Sequence, residues 1–383
     1  MWETVRLGNV CEILDRQRKP ITKRNRKSGP IPYYGATGVV DWVSDYIFDE
    51  PLILVGEDGA KWGEGERTAF LIEGKSWVNN HAHVIRPKKG IVLREWISHY
   101  LTAIDLSPWV TGLTIPKLNQ AKLRSIPLPL PPLAEQKRIV ERLDKAFAEI
   151  DKAQNANAKS ERQLMVVLEN AVAKLLITPK STSELTELSE FLDETITGPF
   201  GSSLHKSDYT DNGVAVINPQ NILNGEISTS NCNFISYEKA KDLSRYSLQV
   251  GDIVLGRRGE MGRCAVVDAS EKKMICGTGC MILRAKSGCS PYYLAELIRS
   301  KYIRSVLEKN SIGMTMANLN QKILLNVKIP RDSYRNQIER VNTCRRLREF
   351  VDSAITIRKN KANKLTDIRR SILKQELTPS EAV

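Results

Sequence analysis

The sequence predicts an α+β protein: two tandem α/β domains joined by two long antiparallel helices, a coiled-coil spacer with pseudo-twofold symmetry. Three observations predict it. Four segments recur at offsets of 200 or 201 residues. The early part of each copy holds short apolar runs broken by Gly, Pro and Asn, the pattern of strands and turns. The late part of each copy holds an uninterrupted helical pattern with apolar residues three and four apart.

The repeat comes first because it sets the domain count. Ile53-Leu-Val-Gly56 with Gly59 returns as Ile253-Val-Leu-Gly256 with Gly259. Gly112-Leu-Thr114-Ile-Pro-Lys-Leu-Asn-Gln120 returns as Gly313-Met-Thr315-Met-Ala-Asn-Leu-Asn-Gln321. Pro129 and Gln136 return as Pro330 and Gln337, and Lys174–Pro179 as Lys374–Pro379. One register held across four segments means two copies of one unit, each large enough for its own core. The late parts of the copies are alike and the early parts differ, as expected of a common scaffold bearing two different working surfaces. The expected segments are 1–132, 133–180, 181–331 and 332–383.

Within the first copy, Pro51–Gly56 and Ser76–Ile85 read as strands, and a helix is expected near Leu93–Ile104. Ile126-Pro-Leu-Pro-Leu-Pro-Pro132 forbids a helix and imposes an extended connector. A helix over 133–177, roughly 65 Å long at 1.5 Å per residue, then carries a seam of Ile139, Leu143, Ala146, Ile150, Ala153, Asn157, Ser160, Leu164, Val167 and Ala171. Asn157 either fixes the register of the pair or marks where the seam opens to water. Thr178-Pro179 ends this helix. In the second copy Gly251–Gly256 and Cys280–Arg284 read as strands and Tyr292–Lys309 as a helix. The final helix, 333–377, has Asp332 or Ser333 as its cap. Its stripe runs Val341, Cys344, Val351, Ile355, Ala362, Leu365 and Ile372, interrupted by Arg348, Arg358 and Arg369. Neither helix can bury its stripe alone; packing the two together, antiparallel, is the simplest solution, and folding each back on its own domain is the alternative.

Composition limits the function. With 41% hydrophobic and 26% charged residues, the 383-residue chain is not disordered as a whole. Its 57 Lys+Arg against 44 Asp+Glu give +13, which favours a polyanionic partner, nucleic acid or an acidic membrane surface. No secretory signal is expected at MWETVRLGNV, and no apolar run approaches the roughly 18 residues of a membrane helix. Seven scattered cysteines are expected to be reduced thiols in a cytoplasmic protein.

Enzyme chemistry is sparse. Gly59–Gly63 and Gly256–Gly259 do not match a phosphate-cradling P-loop, and no Gly-rich dinucleotide turn opens a helix. His81 and His83, two apart in an expected strand, share a face suited to a metal or to hydrogen bonding. Cys276 and Cys280 stand apart from any second Cys pair and read as buried thiols, with a zinc site the weaker reading. Asp58, Glu73 and Lys75, and again Asp252, Glu271 and Lys273, form a loose D…E-x-K pattern able in principle to hold a metal.

Polyanion-binding features are more abundant. Arg16–Lys27 holds seven cations and no acid, including Lys23, Arg24, Arg26 and Lys27, and reads as a loop laid along phosphates. Lys61-Trp62 follows the first glycine turn, and Arg257-Arg258 with Arg263 stand at the matching place in the second copy; such a turn lets backbone approach a polyanion closely and arginine can grip guanine with two donors, or these are solvated turns. Asn79-Asn80-His81 and Asn218-Pro-Gln-Asn221 offer amide groups, which suit adenine edges. Thr114 and Thr315 suit a phosphate, or cap the short helix that follows. Lys117 and Asn318 in the same turns, and Lys206, complete the candidate DNA contacts.

The motif Gly112–Asn119 running into Ile126-Pro-Leu-Pro-Leu-Pro-Pro-Leu-Ala-Glu-Gln136 and a long helix resembles the specificity subunit of type I restriction–modification enzymes, as does Val78-Asn-Asn-His-Ala-His83. The resemblance covers the whole duplicated layout. It departs at Ile329-Pro-Arg-Asp-Ser-Tyr334, which replaces the proline-rich connector. It implies two target-recognition domains, each reading half of a split double-stranded DNA sequence. The helices would act as a ruler and dock two modification subunits that carry S-adenosylmethionine and methylate adenine. Restriction subunits would add ATP- and Mg-dependent cleavage. No cofactor, metal or catalytic residue is then expected in this chain, and no membrane. Half-sites about one helical turn apart, roughly 34 Å, would suit two readers on one duplex. The competing readings are a stand-alone metal nuclease and a coiled-coil adaptor that binds only proteins.

Overall fold

The computed structural model describes residues 2–112, 114–178, 184–200, 203–268, 273–309, 319 and 321–377. Two compact units emerge: Met1–Lys159 with Ile357–Val383, and Ser160–Thr356. They cut across the four expected segments, because each long helix gives one half to each unit. The reason is burial: Ile139, Leu143, Phe147, Ile150, Leu373 and Leu377 lie in one core of the first unit, and Val172, Leu176, Val341 and Cys344 in one of the second.

The first unit contains strands β1 (Glu3–Arg6), β2 (Cys11–Ile13), β3 (Ile31–Gly35), β4 (Gly38–Val43), β5 (Phe48–Asp49), β6 (Leu52–Gly56), β7 (Ala69–Ile72), β8 (Lys75–Val78), β9 (Ala82–Pro87) and β10 (Pro127–Leu130). Its helices are α1 (Leu7–Val10), α2 (Arg94–Ala103), α3 (Gln120–Ser125) and the start of α4 (Leu133–Ile177). The sheets run β2-β9-β6-β7 and β4-β3-β8-β5, with β1 paired to β10. β6 is buried throughout. Alternate residues of a strand face opposite sides. Ile53 and Val55 enter a core with Trp96, Ile97 and Leu101 of α2, while Leu52 and Leu54 enter another with Phe48 and Val78 of the second sheet. An unbroken apolar run therefore marks a strand covered on both faces. The expected strand 76–85 is two strands, β8 and β9, separated by a turn at 79–81 where Asn79 Oδ1 accepts from His81 N at 2.8 Å.

The second unit repeats this plan with β11 (Leu185–Glu187), β12 (Leu192–Thr197), β13 (Tyr209–Thr210), β14 (Val214–Ile217), β15 (Ile222–Leu223), β16 (Glu226–Ile227), β17 (Asn233–Ile235), β18 (Ile253–Gly256), β19 (Cys264–Val266), β20 (Met274–Cys276), β21 (Cys280–Ala285) and β22 (Lys328–Pro330). Sheet β12-β21-β18-β19 has the connectivity of β2-β9-β6-β7, and β11-β22 that of β1-β10. β14 and β20 pair in parallel, as β3 and β8 do. Ile253 and Leu255 face one core and Val254 another. The helices are α5 (Tyr237–Asp242), α6 (Pro291–Arg299), α7 (Lys301–Lys309), α8 (Gln321–Leu325) and α9 (Tyr334–Leu377). The single helix expected over 292–309 is two: Ser300 is extended (ψ 148°) and its Oγ accepts from Ile303 N at 3.4 Å, so it ends α6 and caps α7.

Gln136 and Gln337 explain one of the repeated positions. Gln136 is buried; its Oε1 accepts from Leu93 N (2.9 Å) and its Nε2 donates to Pro131 O (2.8 Å). Gln337 does the same with Ser290 N (2.7 Å) and Asp332 O (2.9 Å). Each glutamine ties the first turn of a long helix to the start of α2 or α6. Ser333 is the α9 cap, its Oγ accepting from Asn336 N, while Asp332 is buried against Arg340 Nε at 2.7 Å.

Inside the first unit α4 and α9 run antiparallel. Arg142 pairs with Glu376, and Asp151 with Arg369 at 2.5 Å. Arg369 also lies 4.5 Å over the Phe147 ring. Asn157 Nδ2 donates to Arg358 O at 2.9 Å, so this seam residue grips the facing helix rather than opening to water. The heptad reading fails at Val167, which is 62% exposed. Beyond Leu164 the buried face passes through Leu168, Val172 and Leu176. A straight helix has 3.6 residues per turn, so its inward face drifts off a seven-residue repeat.

Candidate nucleic-acid interface

The basic loop of the first unit divides into inward and outward cations. Arg18 Nη1 donates to Glu57 Oε2 (2.6 Å) and Ala82 O (2.8 Å). Arg26 donates to Asp41 Oδ2 at 2.8 Å and stacks 4.3 Å over Tyr33, which holds Asp41 below the ordinary carboxylate range. These two arginines fasten the loop to the domain, so Arg26 is a pin rather than a free contact. Lys23, Arg24 and Lys27 are exposed.

The glycine turn after β6 carries Glu57 and Asp58. Lys117 Nζ sits 2.8 Å from Glu57 and 3.8 Å from Asp58, and its pKa is raised chiefly by the bond to Glu57. Asp58 receives His81 Nδ1 at 2.5 Å, with His81 half exposed. His83 is buried on β9, with Nδ1 2.6 Å from Asp15 and Nε2 2.6 Å from Leu118 O. His81 lies in the preceding turn, so the two histidines share no metal-facing surface. Asp15, Glu57 and His83 cluster within 4.8 Å. Arg18 and Lys117 already neutralise these carboxylates, so the cluster is a polar brace joining loop, turn and strand. Burial pushes the Asp15 carboxyl up, and His83, the Val84 amide and Arg18 more than reverse this, leaving it below its ordinary value.

Other candidates take structural roles. The Trp62 indole packs on the first core and donates to Gly56 O at 3.3 Å, whereas Lys61 is exposed. Asn79 is buried in its turn and Asn80 exposed. Thr114 is exposed and does not cap α3; Asn119 does, accepting from Lys122 N at 2.9 Å. The chain reverses there because Gly112 takes φ +98°, where a Cβ would lie 2.5 Å from Ile115 O.

In the second unit three turns converge. Arg257 N donates to Gly279 O and Gly277 N to Ile217 O, both at 2.8 Å. Asn218, Pro219, Gln220, Arg258, Gly259, Thr278 and Gly279 line a hollow of about 370 Å³. Asn218 and Asn221 cap one another, Asn218 N donating to Asn221 Oδ1 at 3.0 Å. Arg263 is held by Pro219 O and Glu260, each at 3.3 Å. Lys206 and Arg258 are exposed, and Arg257 is half-buried. Thr315, Asn318 and Glu271 lie outside the described residues.

The family described as Type I restriction modification DNA specificity domain matches residues 1–160 and 181–366. The chain belongs to this family. Over 138 residues, 36% of this chain and 35% of the relative, it is 40% identical to a putative type I restriction enzyme specificity subunit, S.HindORF215P, of Haemophilus influenzae. That match spans about a third of the relative's length. Over 98% of this chain and 92% of the relative, it is 23% identical to the MjaVIII specificity subunit of Methanocaldococcus jannaschii. A solved structure concerned with complex assembly and conformational transition of the type I R-M system superposes with TM-score 0.71 at 18% identity, covering 98% of this chain and 97% of that one.

Two domains of one fold are present, and among the described residues three groups of the nuclease pattern are spent elsewhere. Glu73 pairs with Arg94, Lys75 lies over Tyr46, and Asp252 is buried against Arg284. Burial pushes the Cys280 thiol up to about 12 and the Cys276 thiol well above its ordinary value, which keeps both protonated. Thr278 and Gly279 are not foreseen from the sequence, whereas Gln220 lies within the Asn218–Asn221 segment singled out for its amides. Thr278 and Gly279 are located by the fold instead: β9 and β21 hold matching places in their sheets, which puts 277–279 opposite 79–81. No helix among the described residues is long and apolar enough to cross a membrane.

Proposed function

We propose that this chain is the DNA-sequence-specificity subunit of a type I restriction–modification complex. It binds double-stranded DNA at a bipartite, asymmetric site, one half per recognition domain, and scaffolds two modification subunits and, in the full complex, restriction subunits. S-adenosylmethionine, ATP and Mg reside on those partners, and the complex works in the cytoplasm. The observation that carries the reading is that one fold occurs twice with unlike turn chemistry. Glu57-Asp58 in the first unit and Arg257-Arg258 in the second follow the same strand and glycine turn. Lys23, Arg24, Lys27, Lys61, Asn80, His81, Thr114, Lys206 and Arg258 are the accessible candidates for phosphate or base contact. Arg26, Trp62, Asn79, Lys117, Asn218, Asn221 and Arg263 shape the surface that presents them. Titrating the purified complex with duplex DNA at several salt concentrations tests this. Affinity should fall steeply with salt. Absence of salt-dependent binding would leave the protein-only adaptor, and cutting by the isolated chain with magnesium would favour the nuclease.

A further inference from the structure

The backbone beside the glycine turn is the same in both units, but one side chain on it is not. In the first unit Glu57 N donates to His81 O and Leu118 N to Glu57 O, each at 2.8 Å. In the second, Arg257 N donates to Gly279 O at 2.8 Å and Leu319 N to Arg257 O at 2.9 Å. Gly56 pairs with Ala82 as Gly256 pairs with Cys280. His81 and Gly279 therefore hold one place, just before β9 and β21. A Cβ on Gly279 would lie 2.7 Å from Pro219 Cδ, so the second unit is too tight there for a side chain. The first unit puts a half-exposed histidine in that place. A shared frame bearing unlike side chains is where two readers of one fold can differ.

His81 is held on three sides. Its N–H donates to Asn79 Oδ1 at 2.8 Å, its carbonyl accepts from Glu57 N, and its ring Nδ1 lies 2.5 Å from Asp58 Oδ1. A carboxylate only accepts, so Nδ1 carries a ring proton and the tautomer is fixed. Cations already face the carboxylates of this turn: Lys117 Nζ is 2.8 Å from Glu57 and 3.8 Å from Asp58, and Arg18 donates to Glu57 at 2.6 Å. Neutral imidazole then presents a lone pair at Nε2, which meets no hydrogen-bond partner among the described residues. In the major groove an acceptor is met by the amino groups of adenine N6 and cytosine N4. We infer that His81, as the neutral imidazole, reads one such amino group in the first half-site through Nε2, with Asp58 as the positioning residue. The inference rests on the DNA-binding function proposed above and assigns its chemistry in one half.

The test uses the complex of this chain with its modification subunits and the site found by methylated-adenine mapping, the first half-site being assigned by exchange of residues 1–132. Duplexes carry, one position at a time, purine in place of adenine or pyrimidin-2-one in place of cytosine. Each replacement removes an amino group, and the two arms tell the bases apart. One such duplex should bind the wild-type complex about 2- to 10-fold more weakly than the intact site. His81→Ala should bring that ratio to about one and leave the salt slope unchanged. Asp58→Asn lets an amide donate to Nδ1 and moves the ring proton to Nε2, so it should lose the same ratio and keep those at other positions. Wild-type indifference to every amino deletion would overturn the assignment, as would a ratio that survives in His81→Ala. A loss seen only when a purine N7 is replaced by carbon would make the ring a donor and overturn it too. So would a His81→Ala complex weaker on all duplexes by one factor with a shallower salt slope, the mark of a phosphate contact. Failure of the wild-type complex to bind any duplex would instead overturn the function proposed above, and this assignment with it.

Discussion

Arg26 and Lys23 are three residues apart, yet one is spent on Asp41 and Tyr33 and the other is exposed. Counting cations in Arg16–Lys27 could not separate them, because Asp41 and Glu57, the acids that draw two arginines inward, lie far along the chain. Lys23→Ala and Lys61→Ala are expected to weaken DNA binding nearly equally across sequences, each reducing the salt slope by about one. Arg26→Ala is expected to lower the melting temperature instead. Salt titrations with melting curves distinguish these outcomes. Asp15 gives a pH prediction. Its pKa is lowered in the folded chain, chiefly by His83 against the opposing effect of burial. The resulting stabilisation is complete above about pH 4 and is lost as pH falls through the lowered value. Asp15→Asn should therefore melt lower than wild type at pH 7, with the gap narrowing toward acid pH. A gap that stays constant with pH would assign the loss to packing alone.

Strands such as β6 and β18 were legible because an apolar run bounded by glycine has few other uses, and the repeat supplied the pairing of like with like. The helical seam was legible as far as Leu164 and then misread at Val167, since a strict heptad and a 3.6-residue helix part company within a few turns. The break at Ser300 was missed because its apolar stripe continues across it; only the hydroxyl signalled a cap. The equivalent glutamines are visible as repeats, but their purpose lies in bonds to Leu93 N and Ser290 N, more than forty residues away in sequence. Gln136→Leu leaves that buried amide without an acceptor, at a cost of about 1–3 kcal/mol. Denaturant unfolding should show it as a lower midpoint, and a shift under half of that range would argue against the anchoring role. Leu54→Ala, in the core between the first unit's sheets, should cost about 2–5 kcal/mol by the same measurement.

At the scale of the whole molecule, the duplication was the most informative feature of the sequence and the bases recognised the least. Arg258 and Asp58 differ at one repeated position, but only a folded hollow reveals that Gln220 and Thr278 stand beside the former. Removing seven residues from α4 and seven from α9 should shorten the gap between half-sites and leave each half-site intact; an unchanged gap would reject the helices as a ruler. The most direct test of the account is a methylated-adenine map of a host carrying this chain and its modification partner, made before and after residues 1–132 are exchanged for those of another family member. The expected map shows one motif in two unlike halves separated by unspecified bases, of which the exchange alters one half alone. A single contiguous or self-symmetric motif, or an exchange that rewrites both halves, would contradict it.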